Sequence, residues 1–251
     1  MSTPLIAAKQ HLRAVMKKHL ATISQESVAA QSRILFETLK SFQPYRDAKR
    51  ISVYLNMSGG EIQTDAIVRD ALSSGKAVYV PFLHKTPLDP KESPARVMDM
   101  VQLKSIADYE ALQPDKWGIP SIEPSTVNER HRILGPGAEE TAPDSPGLDL
   151  MLMPGVAFDF DEVTGHIRRL GHGRGFYDFF IYRYSRRYGT RDLKDHTGHI
   201  PVLLYGLALK EQFLIAPEDE TIPVGPLDEP PHGVLIGDGT IKHTMAKSAE
   251  R

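Results

Sequence analysis

The chain has no cysteine. That excludes a disulfide framework, a thiol nucleophile and any zinc site with cysteine ligands, and it fits a reducing compartment. Tryptophan occurs once, at Trp117. No apolar run approaches the roughly 20 residues that a helix needs to cross a bilayer. Neither sign of charge dominates: 30 Lys and Arg stand against 32 Asp and Glu, a net charge of -2. This argues against bulk attraction to nucleic acid or to a membrane surface and leaves only a local basic patch open. The first 25 residues contain no acid, yet only one of their basic residues is arginine and serine is scarce, which argues against a transit peptide. Two further absences bear on chemistry. There is no GxxxxGK[ST] phosphate loop and no GxSxG nucleophile elbow.

What is present is ordinary globular composition, 41% apolar over 251 residues, enough for a substantial core. Leu5, Ala8, Leu12, Val15 and Met16 recur at helical spacing, with Lys9, Arg13 and Lys17 flanking that stripe. Ser24 is placed to cap a second helix, which must stop before Pro44. The period then changes. ISVYLN (51–56) reads as a buried strand, Thr64 to Gly75 as a capped helix, and AVYVP (77–81) as a second strand, the spacing of a βαβ unit. RVMDMV (96–101), LDLMLMP (148–154), PVLLYGLAL (201–209) and GVLIG (233–237) supply further strands. Interleaved strands and helices predict the α/β class with a largely parallel sheet. One domain over residues 1–240 is expected, with loop insertions near 84–94 and 125–147 and a flexible tail over 241–251.

The segment RRLGHGRGFYDFF (168–180) is the most informative. Glycines alternate at 171, 173 and 175 before an aromatic helical pattern begins. A glycine-rich loop running into a helix start presents free N–H groups that favour an anion, and Arg169 and Arg174 add fixed positive charge. Asp178, in the first helical turn, would repel a phosphate unless a cation lay between them, which suggests Mg²⁺. A plain tight turn with a core-packed aromatic helix fits the pattern equally. RNA binding through the interleaved arginines and rings is a third reading, against which Arg183, Arg186, Arg187 and Arg191 read as a solvated outer face.

Other residues are candidates by position. Lys9 and Arg13 lie one helical turn apart and could clamp a polyphosphate, or merely form a basic face. Glu61 follows Gly59 and Gly60 beyond a strand's C-terminal end, where ligands bind in open α/β sheets. Trp117 could stack on a planar ligand or plug a core edge. His196 and His199 have no evident third partner for a metal.

Together these residues resemble the 5-formyltetrahydrofolate cyclo-ligase family. The resemblance rests on PGVAFD (154–159) followed by RLGHGRGFYD (169–178), with the Lys9/Arg13 pair, ISVYLNMSGGEIQT (51–64), WGIPSIEP (117–124) and LALKEQ (207–212) in the same order. It implies a single three-layer domain around a mainly parallel sheet. It implies Mg-ATP-dependent conversion of 5-formyltetrahydrofolate to 5,10-methenyltetrahydrofolate with release of ADP and phosphate. By the same resemblance, Lys9, Arg13, Arg169, Leu170, Gly171, His172, Gly173, Arg174, Gly175, Phe176 and Tyr177 would meet ATP, with Arg174 and Tyr177 catalytic. Leu55, Glu61, Met98, Trp117, His172 and Phe176 would border the folate. Asp178 and Asp219 would hold Mg²⁺. His172 stands where many relatives carry Arg or Tyr, and Phe176 replaces a tyrosine. The expected protein is a cytoplasmic monomer acting on a small molecule, with neither nucleic acid nor membrane as partner. A protein that kept the pocket and lost catalysis is the non-enzymatic alternative.

Overall fold

The computed structural model describes residues 3–57, 59–86, 94–135, 146–189, 202–216 and 219–245. Two helices open it, α1 (Thr3–Leu20) and α2 (Gln25–Ser41). The Ser24 hydroxyl accepts from the Ser27 N–H at 3.2 Å, capping α2. That helix ends ahead of Pro44, which sits in the first turn of α3 (Gln43–Asp47). Strand β1 (Arg50–Val53), helix α4 (Asp65–Ser73) and strand β2 (Ala77–Lys85) form the anticipated βαβ unit, with β1 and β2 parallel. Then come β3 (Arg96–Gln102), α5 (Ile106–Glu110), the small β4 (Gln113–Pro114) and β5 (Pro120–Ser121), and β6 (Arg132–Ile133). The rest is β7 (Leu150–Met153), β8 (Ala157–Asp161), β9 (His166–Leu170), α6 (Phe176–Tyr188), β10 (Leu203–Ala208), β11 (Phe213–Leu214), β12 (Gly233–Ile236) and β13 (Ile241–His243).

The main sheet has the order β13-β12-β10-β7-β1-β2-β3-β6. Its centre, from β12 to β2, is parallel, and both flanks are antiparallel. Four consecutive apolar residues in β7 are all buried, as a strand covered on both faces requires. Leu150 and Leu152 face the cluster built with α2 and α4, whereas Met151 and Met153 face Phe180, Ile181 and Tyr184 of α6. This period-two split makes three layers. Beside α6, a second sheet in the order β11-β8-β9 covers Val234 and Ile236 with Phe158 and Ile167. Leu12 and Met16 of α1 close over Val156, Ala157 and Leu170.

Topology places the site. After β1 the chain adds β2 on one side, and β7, β10 and β12 on the other. The order therefore reverses between β1 and β7, and a crevice opens at the carboxyl ends of these two parallel strands. PGVAFD starts there. A Cβ at Gly155 or Gly206 would lie within 2.5 or 2.3 Å of the Phe158 ring, so the two glycines make room for it. Asp159 then binds Arg168 through both oxygens, at 2.6 and 2.7 Å, and accepts from the Ile222 N–H. The motif is thus a structural clamp that fixes the glycine loop's point of departure.

Several expectations change. Thr64 precedes α4 but does not cap it; its hydroxyl donates to the Tyr54 carbonyl at 2.7 Å and braces the loop after β1. The insertion expected from 84 starts later, because β2 runs to Lys85 and His84 reaches Asp99. The one expected over 125–147 contains a 3-10 turn (Pro124–Glu129) and the edge strand β6. The tail expected from 241 begins as β13, and the Met245 N–H donates to the Gly165 carbonyl. Arg183 is not on an outer face: with His84 and Arg132 it surrounds the fully buried Asp99. Arg191, His196 and His199 lie outside the described residues, as do 87–93 of the first insertion and 136–145 of the second. Among the described residues no helix is long and apolar enough to cross a membrane.

Candidate active site

Three loops leave the carboxyl ends of β1, β7 and β10 and meet α1 and the glycine loop around a cavity of about 500 Å³. Met57, Gly59 and Gly60 line it from the first loop, and Gly155 and Val156 from the second. Gln212 lines it from the third, fixed by its bonds to the Gly155 carbonyl at 2.7 Å and the Leu209 N–H at 2.9 Å. Arg13, Lys17 and Gln25 close it from the two N-terminal helices, and His172 from the glycine loop.

The helical spacing of Lys9 and Arg13 puts both on one face of α1, and Arg13 reaches the glycine loop. Arg13 Nε donates to the Gly171 carbonyl at 2.7 Å. Gly173 has φ +96, and a Cβ there would meet the Arg13 guanidinium at 3.2 Å. Glycine is required at this position for its backbone and for its lack of a side chain. Gly175, at φ +65, precedes α6 without any side-chain cap. The first N–H groups of a 13-residue helix therefore have no side-chain cap.

Charge is balanced locally. Lys9 is buried and pairs with both oxygens of Asp228, 2.6 Å to Oδ1. Arg169 is nine-tenths buried and donates to Asp178 at 2.9 Å, and the Glu229 N–H reaches the same oxygen. Burial lowers the Arg13 pKa against the raising fields of Asp228 and Asp178. His172 opens onto the cavity, yet the protein mass around it, then Arg169 and Arg13, hold its pKa below the ordinary imidazole value. Burial and the two cations favour the neutral form of the ring. Of the four side-chain polar atoms buried without a partner among the described residues, two lie here: the Tyr177 hydroxyl and Arg169 Nε. The Arg169 guanidinium lies 5.6 Å from the Tyr177 ring centre, so the two side chains are neighbours.

The proposed folate residues fall into three places. Glu61 is buried in the loop after β1 and accepts from the Met57 N–H at 2.5 Å; Leu55 is buried just before it. Met98 is in the core beneath α6, with Phe176 half-buried against the same cluster. Trp117 is 57% exposed between β4 and β5, with Lys116 over its ring at 4.2 Å. It plugs no core edge, and the cavity lining does not include it. Leu170 is buried beneath α1, and Arg174 is exposed on the loop.

A nucleotide's phosphates fit what is here: free helix N–H groups, glycines, cations and an orphaned guanidinium nitrogen. Magnesium fits differently from the expectation. The cation beside Asp178 is Arg169, and the Asp219 carboxylate accepts from the Ile215 N–H of its own turn at 2.8 Å. Among the described residues no group of three His, Asp or Glu side chains could hold a metal. Asp178 could supply one ligand to an ion held mainly by phosphates and water, the usual manner of Mg²⁺. Sequence reasoning missed Asp228 and Gln212. Asp228 gave no local signal, and Gln212 stood in plain view within LALKEQ.

A family model described as the 5-formyltetrahydrofolate cyclo-ligase family matches residues 5–236. The chain belongs to that family. A Caenorhabditis elegans protein named probable 5-formyltetrahydrofolate cyclo-ligase is 33% identical over 220 residues, 88% of each chain. The Mus musculus 5-formyltetrahydrofolate cyclo-ligase is 31% identical, covering 92% of this chain and 95% of its own. The solution structure of Aquifex aeolicus 5,10-methenyltetrahydrofolate synthetase has the same fold, with a TM-score of 0.58 at 20% identity over 97% and 96% of the two chains.

Proposed function

We propose that this family member converts 5-formyltetrahydrofolate to 5,10-methenyltetrahydrofolate with Mg-ATP, releasing ADP and phosphate. The observation that carries the nucleotide part is the uncapped start of α6 with Arg13 on the loop before it and Arg169 on its first turn, and with the Tyr177 hydroxyl and Arg169 Nε buried and unmet. An N-formyl group is a resonance-stabilised amide and a poor electrophile. Transfer of the γ-phosphoryl group to its oxygen makes an iminium phosphate, which N10 attacks as phosphate leaves. Such a reaction asks a protein for position and positive charge. Arg174 and the loop amides stabilise the moving charge, and Tyr177 orients the reacting group. Magnesium, when bound, neutralises phosphate charge, with Asp178 as its protein contact. No step needs a protein nucleophile, in keeping with the absence of cysteine and of a serine elbow. This reading takes the protein as a cytoplasmic monomer.

The test is the absorbance of methenyltetrahydrofolate in a purified reaction. It should rise only when 5-formyltetrahydrofolate, ATP and magnesium are all present, with one ADP per product. Binding of both substrates without ADP release would favour the non-catalytic pocket instead, and clean, folded protein with no turnover would overturn the proposal.

A further inference from the structure

Lys9, Arg13 and Lys17 form a row along one face of α1, about 12 Å from first to last. Their partners differ. Lys9 is buried and held by Asp228. Arg13 is half-buried and spends its Nε on the Gly171 carbonyl. Lys17 is exposed, and among the described residues its side chain has neither a hydrogen bond nor an ion pair. The cavity opens beside this end of the row. Arg13, Lys17 and His172 line it, whereas Lys9 and the first turn of α6 do not. Leu20, Ile23 and Val156 give it an apolar wall. No Asp or Glu is among the lining residues. The amino-bearing edge of a pterin donates hydrogen bonds and calls for a carboxylate, so this lining suits it poorly. An anionic group on an otherwise apolar body suits it well.

We propose that Lys17 is a third phosphate-binding cation of α1, the one that captures the nucleotide as it enters. The inference rests on the function proposed above, which brings a polyphosphate to Arg13 and the glycine loop, and it adds a residue to that site. Lys17 lies one helical turn from Arg13, about 6 Å along the helix, so a polyphosphate at Arg13 is within reach of its flexible stem. Lys9 is closed off by Asp228 and has to be released, whereas Lys17 stands open at the mouth of the cavity. An incoming anion therefore meets Lys17 and Arg13 first and reaches Lys9 last. A cation at such a mouth raises the local concentration of anions and speeds encounter, most of all at low ionic strength.

Lys17→Gln tests the idea, with Lys18→Gln as its control. Lys18 is exposed on the same helix, carries the same charge and does not line the cavity. Stopped-flow binding of a fluorescent, non-hydrolysable ATP analogue with magnesium is followed at about 0.02 M and about 0.3 M salt. Lys17→Gln should lower the association rate constant by about 3- to 10-fold at low salt and raise Kd by a similar factor, with a shallower salt dependence. Lys17→Arg should restore most of both, and Lys18→Gln should change neither by more than about 2-fold. The Kd for 5-formyltetrahydrofolate should hold in all three variants. Nucleotide binding that is unchanged in Lys17→Gln, or weakened equally in Lys18→Gln, would overturn the proposal. A raised Kd for the folate with nucleotide binding intact would overturn it too, and would give Lys17 to the substrate's carboxylates. Wild-type protein that binds no nucleotide would instead overturn the function itself.

Discussion

Asp228→Asn probes how the free protein holds Lys9, a cation that the proposed function assigns to phosphate. Lys9 has a side chain only 10% exposed, and its partner Asp228 is 27% exposed. A phosphate that takes Lys9 must first displace Asp228. An asparagine at 228 keeps the shape and can still accept from the Gly225 N–H, which Asp228 Oδ2 does at 2.6 Å, but it loses the charge. A hydrogen bond between charged groups contributes about 1.5–3 kcal/mol, and the exposed edge of Asp228 puts this one at the lower end, about 1.5 kcal/mol. The free variant should therefore melt about 3–6 °C lower. Because ATP no longer competes with a carboxylate, its Kd should fall roughly tenfold. Calorimetric titration with a non-hydrolysable ATP analogue, and the thermal shift that analogue produces, measure both. The KM for folate should not move. ATP binding that weakens, or stays the same while stability falls, would refute the exchange and make Asp228 part of the nucleotide site.

Gly206→Ala should cost about 1–3 kcal/mol, a fall of roughly 2–12 °C in Tm, because its new methyl meets the fully buried Phe158 ring at 2.3 Å. Adding Phe158→Leu should restore part of that loss, and an unchanged melt in the single variant would remove the clamp argument. The His172 imidazole should titrate below its ordinary 6.5 in the free protein, followed by NMR. The sign follows: a depressed folded-state pKa means that protonation opposes folding, so stability falls as pH drops through 6.5 towards the lower folded value. A bound nucleotide analogue should raise that pKa, and a free-state value at or above 6.5 would contradict the cationic setting described here.

Much of this protein was legible as a pattern because the patterns are local. The run around Leu150–Met153 read as a strand, the Ser24 cap and Pro44 fixed the ends of α2, and the fourfold spacing of Lys9 and Arg13 put both cations on one helix face. The motif from Arg169 to Asp178 carried the family. What the sequence left level was decided by contacts between distant segments. Asp228 reaches Lys9 across 219 residues, and nothing near either residue announces the pair. Arg183 sits in an ordinary helical run of arginines, and only the packing of α6 on β3 turns it inward to Asp99. Glu61 was an acid after two glycines. Burial in the fold is what lifts its carboxyl above the usual carboxylate range. Local periodicity determines elements and faces; only the tertiary structure decides which buried charges are answered and which are left for a ligand, because that depends on dielectric and on neighbours that the chain brings together from far apart.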